Sequence, residues 1–153
     1  MLSMKAKYGL KAMLRLAKDH GRGPWLIAEL AAEESIPKKF LELILLELKQ
    51  QGVLQSKKGK GGGYFLAKRP EEISVGTVLR ILDGSLAPVA CVGGAGYRPC
   101  DECKDPGACS IRLLMSEVHD AASGILDATT LDQLARRGET DHRVRPHLQR
   151  YHI

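Results

Sequence analysis

The chain has 153 residues, 44% hydrophobic and 27% charged, with only 5% aromatic residues and a formal net charge of +5. That length supports a packed core without disulfide stapling, the composition is that of a globular protein, and the scarcity of aromatics points to an aliphatic, mostly helical interior. Charge is split along the chain: residues 1–70 hold 14 Lys/Arg against 6 Asp/Glu, residues 71–135 hold 4 against 10, and residues 136–153 hold 5 against 2, so the front half, not the middle, suits a polyanion.

Ser3 is placed to cap a first helix over 3–20, with Tyr8, Met13, Leu16 and Ala17 as its apolar stripe and Lys5, Lys11, Arg15 and Lys18 outside it. The same basic, acid-free start could be a transit peptide, but the capped, core-facing helix accounts for it better. Gly21-Arg22-Gly23-Pro24 breaks the helix, and Trp25-Leu26 reads as a short extended segment. A second helix over 27–34 follows. Pro37, at a first helical position, opens a third that runs to Gln51 and buries Phe40, Leu41, Ile44, Leu45 and Leu48.

Two short strands, 53–57 and 64–68, flank Lys58-Gly59-Lys60-Gly61-Gly62-Gly63. This is a hairpin tip where glycines permit positive φ and lysines stay solvated. It is no phosphate loop, for it lacks the Lys-[Ser/Thr] ending and lies between strands. Ser74 caps a fourth helix over 75–83, ended by Gly84. Residues 85–109 show no apolar period. The helical period returns over 110–126, Thr130 caps a short helix through Ala135, and 137–153 reads as a polar, basic tail. No apolar run approaches a membrane span, and four cysteines without a signal-peptide pattern fit a cytoplasmic, reducing compartment.

Helix, turn, helix, then a two-stranded hairpin with a basic tip is the order of a winged helix-turn-helix, whose second helix enters the DNA major groove. Lys38 and Lys39 lie at the head of that helix, where backbone N–H groups also favour phosphate, and Lys57, Lys58 and Lys60 lie on the wing. A solvated surface on an ordinary domain is the alternative, and the charge asymmetry favours DNA.

Lys7-Tyr8-Gly9-Leu10-Lys11-Ala12-Met13, Phe40-Leu41-Glu42, Gly61-Gly62-Gly63-Tyr64-Phe65-Leu66-Ala67, Ile73-Ser74-Val75-Gly76 and Leu82-Asp83-Gly84 together resemble the Rrf-two family of bacterial transcription regulators, the IscR/NsrR/CymR type, over residues 1–135. The resemblance implies a homodimer that binds promoter DNA, with a sensor loop ahead of a long dimerisation helix. It implies a base-selecting role for Glu42, and places Lys58 where the family has a wing arginine, keeping charge but losing the fork that reads guanine. The DNA-contact set expected is Lys38, Lys39, Glu42, Lys57, Lys58, Lys60, Gly62 and Tyr64.

Cys91, Cys100, Cys103 and Cys109 are spaced C-x8-C-x2-C-x5-C. Four thiolates suit an iron–sulfur cluster or tetrahedral zinc, while thiol redox chemistry, or no ligand at all, stays open. Against the resembled cluster-binding pattern, Cys91 matches only with a three-residue insertion, Cys100 is extra, and Arg112 stands where those proteins have histidine. Lys7 stands where some lend an aspartate from the partner subunit. If a fourth protein ligand exists, Cys100 is the expected one.

Ile111, Leu114, Val118, Ala122 and Ile125 recur at helical spacing. The stripe suits either its own domain or a partner helix, and the resemblance favours the dimer. Ser116, His119 and Asp120 share one helix and cannot converge as a hydrolytic triad; they read as its solvent side. His142, His147 and His152 lack a scaffold for metal. The expected organisation is mainly α with a two-stranded wing: a winged helix-turn-helix over 1–84, a Cys-containing sensor loop over 85–109, a dimerisation helix region over 110–135 and a basic tail over 136–153. The expected function is a non-enzymatic, sequence-specific regulator, of repressor type, sensing iron–sulfur or redox status. The rival is a small thiol-redox or metal-binding protein whose Cys loop is the active site.

Overall fold

The computed structural model describes residues 2–94 and 96–140, the last three by backbone only. Six α-helices and one β-hairpin make up the described chain: α1 (Met4–Lys18), α2 (Ile27–Glu34), α3 (Lys38–Gln50), β1 (Leu54–Lys57), β2 (Gly63–Leu66), α4 (Val75–Asp83), α5 (Ser110–Ala128) and α6 (Leu131–Thr140), with a 3-10 turn at Pro70–Glu72. This mainly helical architecture with a two-stranded antiparallel wing is the one expected.

Ser3 caps α1 by accepting from the Ala6 N–H at 3.0 Å, and its own N–H and hydroxyl donate to Asp83, tying the start of α1 to the end of α4. α2 ends on Ser35 in the left-handed conformation, φ 52°. The chain then enters α3 through Pro37, which stands one residue earlier than expected. At φ −57° and ψ 123° it is the extended residue before the helix, and its carbonyl accepts from the N–H groups of Phe40 and Leu41. Met13, Leu30, Leu41, Ile44, Leu45, Leu48, Val78 and Leu131 are fully buried. One aliphatic core thus joins α1, α2, α3, α4 and α6, which is why so few aromatics suffice.

The hairpin pairs Leu54 with Leu66 and Lys57 with Gly63. Trp25 adds a third, single-residue rung, exchanging backbone hydrogen bonds with Tyr64 at 2.9 and 2.8 Å. A second bridge, Ser74 with Thr130, carries Val75 N–H to Thr129 O at 2.8 Å and Leu131 N–H to Ile73 O at 2.9 Å. This bridge returns the chain after α5 to the helical body of residues 1–84, where Leu131 and Ala135 of α6 are buried.

Two expectations are corrected at the C-terminal end. α6 runs to Thr140, not Ala135, so residues 136–140 are helix and not tail. The rest of the expected tail, with His142, His147 and His152, lies outside the described residues.

Candidate nucleic-acid interface and sensor loop

Many cations of the front half are engaged inside the domain. Lys5 pairs with Glu47 at 2.5 Å, and Arg15 with Glu33 and Glu34 at 2.9 and 2.8 Å. Lys11 donates to the Glu34 carbonyl, Lys49 to Ser56 Oγ at 2.7 Å, and Arg69 meets Glu72 at 3.3 Å. Hydrogen bonds from the Arg69 backbone and side chain hold the Glu72 carboxyl below its ordinary value. These pairs clamp helices together and leave little charge for a ligand.

Lys39, Lys57, Lys58 and Lys60 are exposed, and among the described residues they form no ion pair; Lys7, Lys18 and Lys68 share that state elsewhere in the sequence. Lys38 meets Glu42 at 4.0 Å across one helical turn, with both side chains well exposed; such a pair contributes little and is readily exchanged for a phosphate or a base edge. No side chain caps the start of α3, so its first N–H groups stay available to an anion.

Gly62 and Tyr64 stand apart from these lysines. Gly62 is buried in the hairpin turn, where a Cβ would lie 2.2 Å from the Lys57 carbonyl oxygen. Tyr64 is half-buried against the core and carries the rung to Trp25. On the outer face of α3 the structure adds two residues that periodicity did not single out, Leu43 and Leu46, exposed to 64% and 46%. They share the face of Lys39 at four- and seven-residue steps.

The segment between α4 and α5 folds back on itself, with Arg98 N–H donating to Ala90 O at 2.8 Å and Val92 buried. Gly93 and Gly96 take positive φ within that turn. Cys91, Cys103 and Cys109 are half-buried and Cys100 is exposed; all four are free. Hydrogen bonding to the Cys91 thiol, followed by the charge Cys91 would carry, pushes the Cys100 thiol above its ordinary value; Cys103 and Glu102 add to the same direction. Cys100 is thus electrostatically linked to Cys91, and Cys103 lies one tight turn on, its N–H donating to Cys100 O at 3.2 Å. Among the described residues no three His, Cys, Asp or Glu side chains converge on a metal-sized site. The donors are chemically right for a cluster, four soft thiols, yet as placed they do not converge. Arg112 makes no such ligand: its Nε–H donates to Cys91 O at 3.0 Å and its terminal nitrogen lies 3.4 Å from Pro106 O, pinning both ends of the loop to α5.

Two faces of α5 separate cleanly. Arg112, Met115, Ser116, His119, Ser123 and Leu126 are half-buried toward the loop and α4. Ser116 and His119 are thus not on the solvent side as expected, because Gly93 of the loop closes over the imidazole; Asp120 alone of the three is exposed. Arg80 of α4 binds Asp127 through two hydrogen bonds, at 2.5 and 2.8 Å, which hold the Asp127 carboxyl below its ordinary value. The adjoining face, about a quarter turn away, with Ile111, Leu114, Val118, Ala122 and Ile125, is exposed, and no residue of this 19-residue helix is buried.

The model of the Rrf2 family, described as iron-dependent transcriptional regulators, matches residues 2–137. A relative from Rhodobacter capsulatus, named as an rrf2-like HTH-type transcriptional regulator, is 40% identical over 141 residues, covering 90% of this chain and 94% of that protein. The structure of CymR, the global cysteine regulator of B. subtilis, superposes with a TM-score of 0.75 at 32% identity, covering 90% of this chain and 97% of that one. IscR of T. potens superposes with a TM-score of 0.74 at 26% identity, over 97% of this chain and 95% of that one. No described helix is long and apolar enough to cross a membrane. With the wing, the helix pair and the loop-plus-α5 arrangement matched along nearly its whole length, the chain belongs to the Rrf2 family of transcriptional regulators.

Proposed function

We propose that the protein is a cytoplasmic, homodimeric, sequence-specific DNA-binding repressor whose Cys loop senses iron–sulfur or thiol-redox status. The observation that carries the DNA reading is the exposed, unpaired set of Lys39, Lys57, Lys58 and Lys60, with the loosely held Lys38, at the head of α3 and on the wing of a helix-turn-helix. The head of α3 and the wing supply phosphate contacts. Glu42 supplies base selection, and Gly62 and Tyr64 shape the wing that presents the lysines. Affinity for promoter DNA is expected to fall by about 0.9 log unit per log unit of salt for each phosphate neutralised. Gel-shift titrations across salt with Lys58→Ala/Lys60→Ala should show weaker binding to every sequence and a shallower slope. Glu42→Ala should instead change the preferred base at one position. Salt-independent binding, or unaltered sequence preference in Glu42→Ala, would remove this assignment.

In the sensing reading, Cys91, Cys100, Cys103 and Cys109 would hold an iron–sulfur cluster, with zinc as the alternative metal. A cluster supplies a redox- and iron-sensitive tie across the loop. The residues themselves set the loop's position: Arg112 fixes Cys91 and Pro106 to α5, so a change in the loop's span is felt by the helix after it. Shifting the pose of α5 in a dimer alters the spacing of the two α3 helices and so favours or disfavours a DNA site. A second reading rests on the four free thiols of a loop that folds back on itself, so that Cys91 and Cys100 can meet. Two thiols lose two electrons and two protons to hydrogen peroxide, whose O–O bond breaks, forming one disulfide and releasing two waters.

Cys→Ser variants separate the two. Serine replaces a soft thiolate with a hard, mostly protonated hydroxyl. With a cluster, anaerobically purified protein is coloured, Cys103→Ser and Cys109→Ser bleach it, and Cys100→Ser does so if it is the fourth ligand. With the switch, the protein is colourless, mild peroxide changes DNA affinity reversibly with dithiol, and only Cys91→Ser and Cys100→Ser abolish that response. Colourless, metal-free protein indifferent to peroxide would rule out both.

A further inference from the structure

Under the Cys loop lies a cavity of about 280 Å³ that none of these roles uses, walled by Arg80 and Gly84 from the end of α4, Ser85, Leu86 and Gly93 from the loop, and His119 from α5. Two features mark it as a polar site in want of a partner. His119 Nδ1 is enclosed and has no hydrogen-bond partner; an enclosed polar atom left unpaired is unfavourable. A Cβ at Gly93 would lie 3.5 Å from His119 Nε2, so loop backbone covers the other side of the ring. The second feature is Arg80. Asp127 takes two of its N–H groups and fixes the guanidinium in place. A guanidinium carries five N–H donors in a planar fork, so further donors remain beside the cavity. Leu86 and glycine backbone make the rest of the wall apolar and close-fitting.

We propose that this cavity binds a small carboxylate with a short apolar body, the carboxylate received by Arg80 and His119 and the body lying against Leu86. At about 30 Å³ per water-sized group, the volume of about 280 Å³ suits an acid of roughly three to six carbons. A charge-assisted guanidinium donor in a partly dry site distinguishes a carboxylate from its neutral amide. The ligand touches α4, the loop and α5 together, so it favours this arrangement of the three over any that opens the cavity. The proposal stands whether the cysteines hold a cluster, zinc or a disulfide.

The test uses the full chain carrying isotope-labelled histidine, titrated with butyrate, pyruvate and L-alanine, with butyramide as the neutral control. The His119 ring signals are expected to shift saturably with at least one acid and not with butyramide. His119→Phe keeps a ring and removes its nitrogens; calorimetry should show affinity for that acid about tenfold weaker, while the melting temperature of the free protein does not fall. A protein in which no acid moves the His119 signals at millimolar concentration overturns the proposal. So does butyramide binding as well as butyrate, or His119→Phe binding undiminished.

Discussion

Val118→Glu is expected to convert the protein to a monomer and to abolish specific DNA binding at concentrations where the parent protein is saturated. Val118 is 47% exposed in the single chain, amid Ile111 at 69%, Leu114 at 55% and Ile125 at 64%. A glutamate there meets only water in an isolated subunit, so the fold itself should survive. In a dimer that covers this stripe, the same carboxylate is buried without a partner, at a cost of several kcal/mol. Sedimentation should show half the parent mass, and circular dichroism should show unchanged helix content. Specific affinity falls because two half-sites are no longer held by one particle. A Val118→Glu protein that stays dimeric and binds its site normally would place the stripe outside the interface.

Gly63→Ala is expected to unseat the wing. Gly63 sits at φ 139°, a conformation that disfavours any side chain, and a Cβ there would lie 2.2 Å from the Trp25 carbonyl oxygen. The clash falls on the rung joining Trp25 to Tyr64, whose two backbone hydrogen bonds hold the hairpin to the helical body. Strained backbone together with lost hydrogen bonds should lower stability by about 2–4 kcal/mol. Trp25 is the chain's sole tryptophan, so the loosening should appear as a change in its fluorescence. DNA affinity should fall with it, because Lys57, Lys58 and Lys60 lose their fixed position. Unchanged fluorescence and unchanged binding would mean that the wing does not depend on this rung.

The helices of the DNA-reading half were legible because their signals are local. Ser3 and Ser74 cap where a hydroxyl can accept from the helix N-terminus, Gly84 ends α4, and the stripe of Leu41, Ile44, Leu45 and Leu48 is buried as its spacing predicts. Basic residues near the head of α3 and at the hairpin tip were visible as types in order. Which of them are free was not visible, since the partners of Lys5, Lys11 and Arg15 lie 18 to 42 positions away in Glu33, Glu34 and Glu47.

Chain order and periodicity thus determined the winged helix-turn-helix, its basic face and the amphipathic long helix, each of which depends on residues within a turn or two of one another. Tertiary packing decided the rest. The stripe from Ile111 to Ile125 and the face carrying Arg112 and His119 alternate on one helix, and only the fold of the Gly-rich loop shows which of them it covers. Likewise, α6 reads from sequence as an appendage of the dimerisation region. It enters the core of the DNA-reading domain because the Ser74–Thr130 bridge, 56 positions apart, turns the chain back onto α1. Contacts of that span arise from burial and backbone pairing between distant segments, which no local pattern encodes.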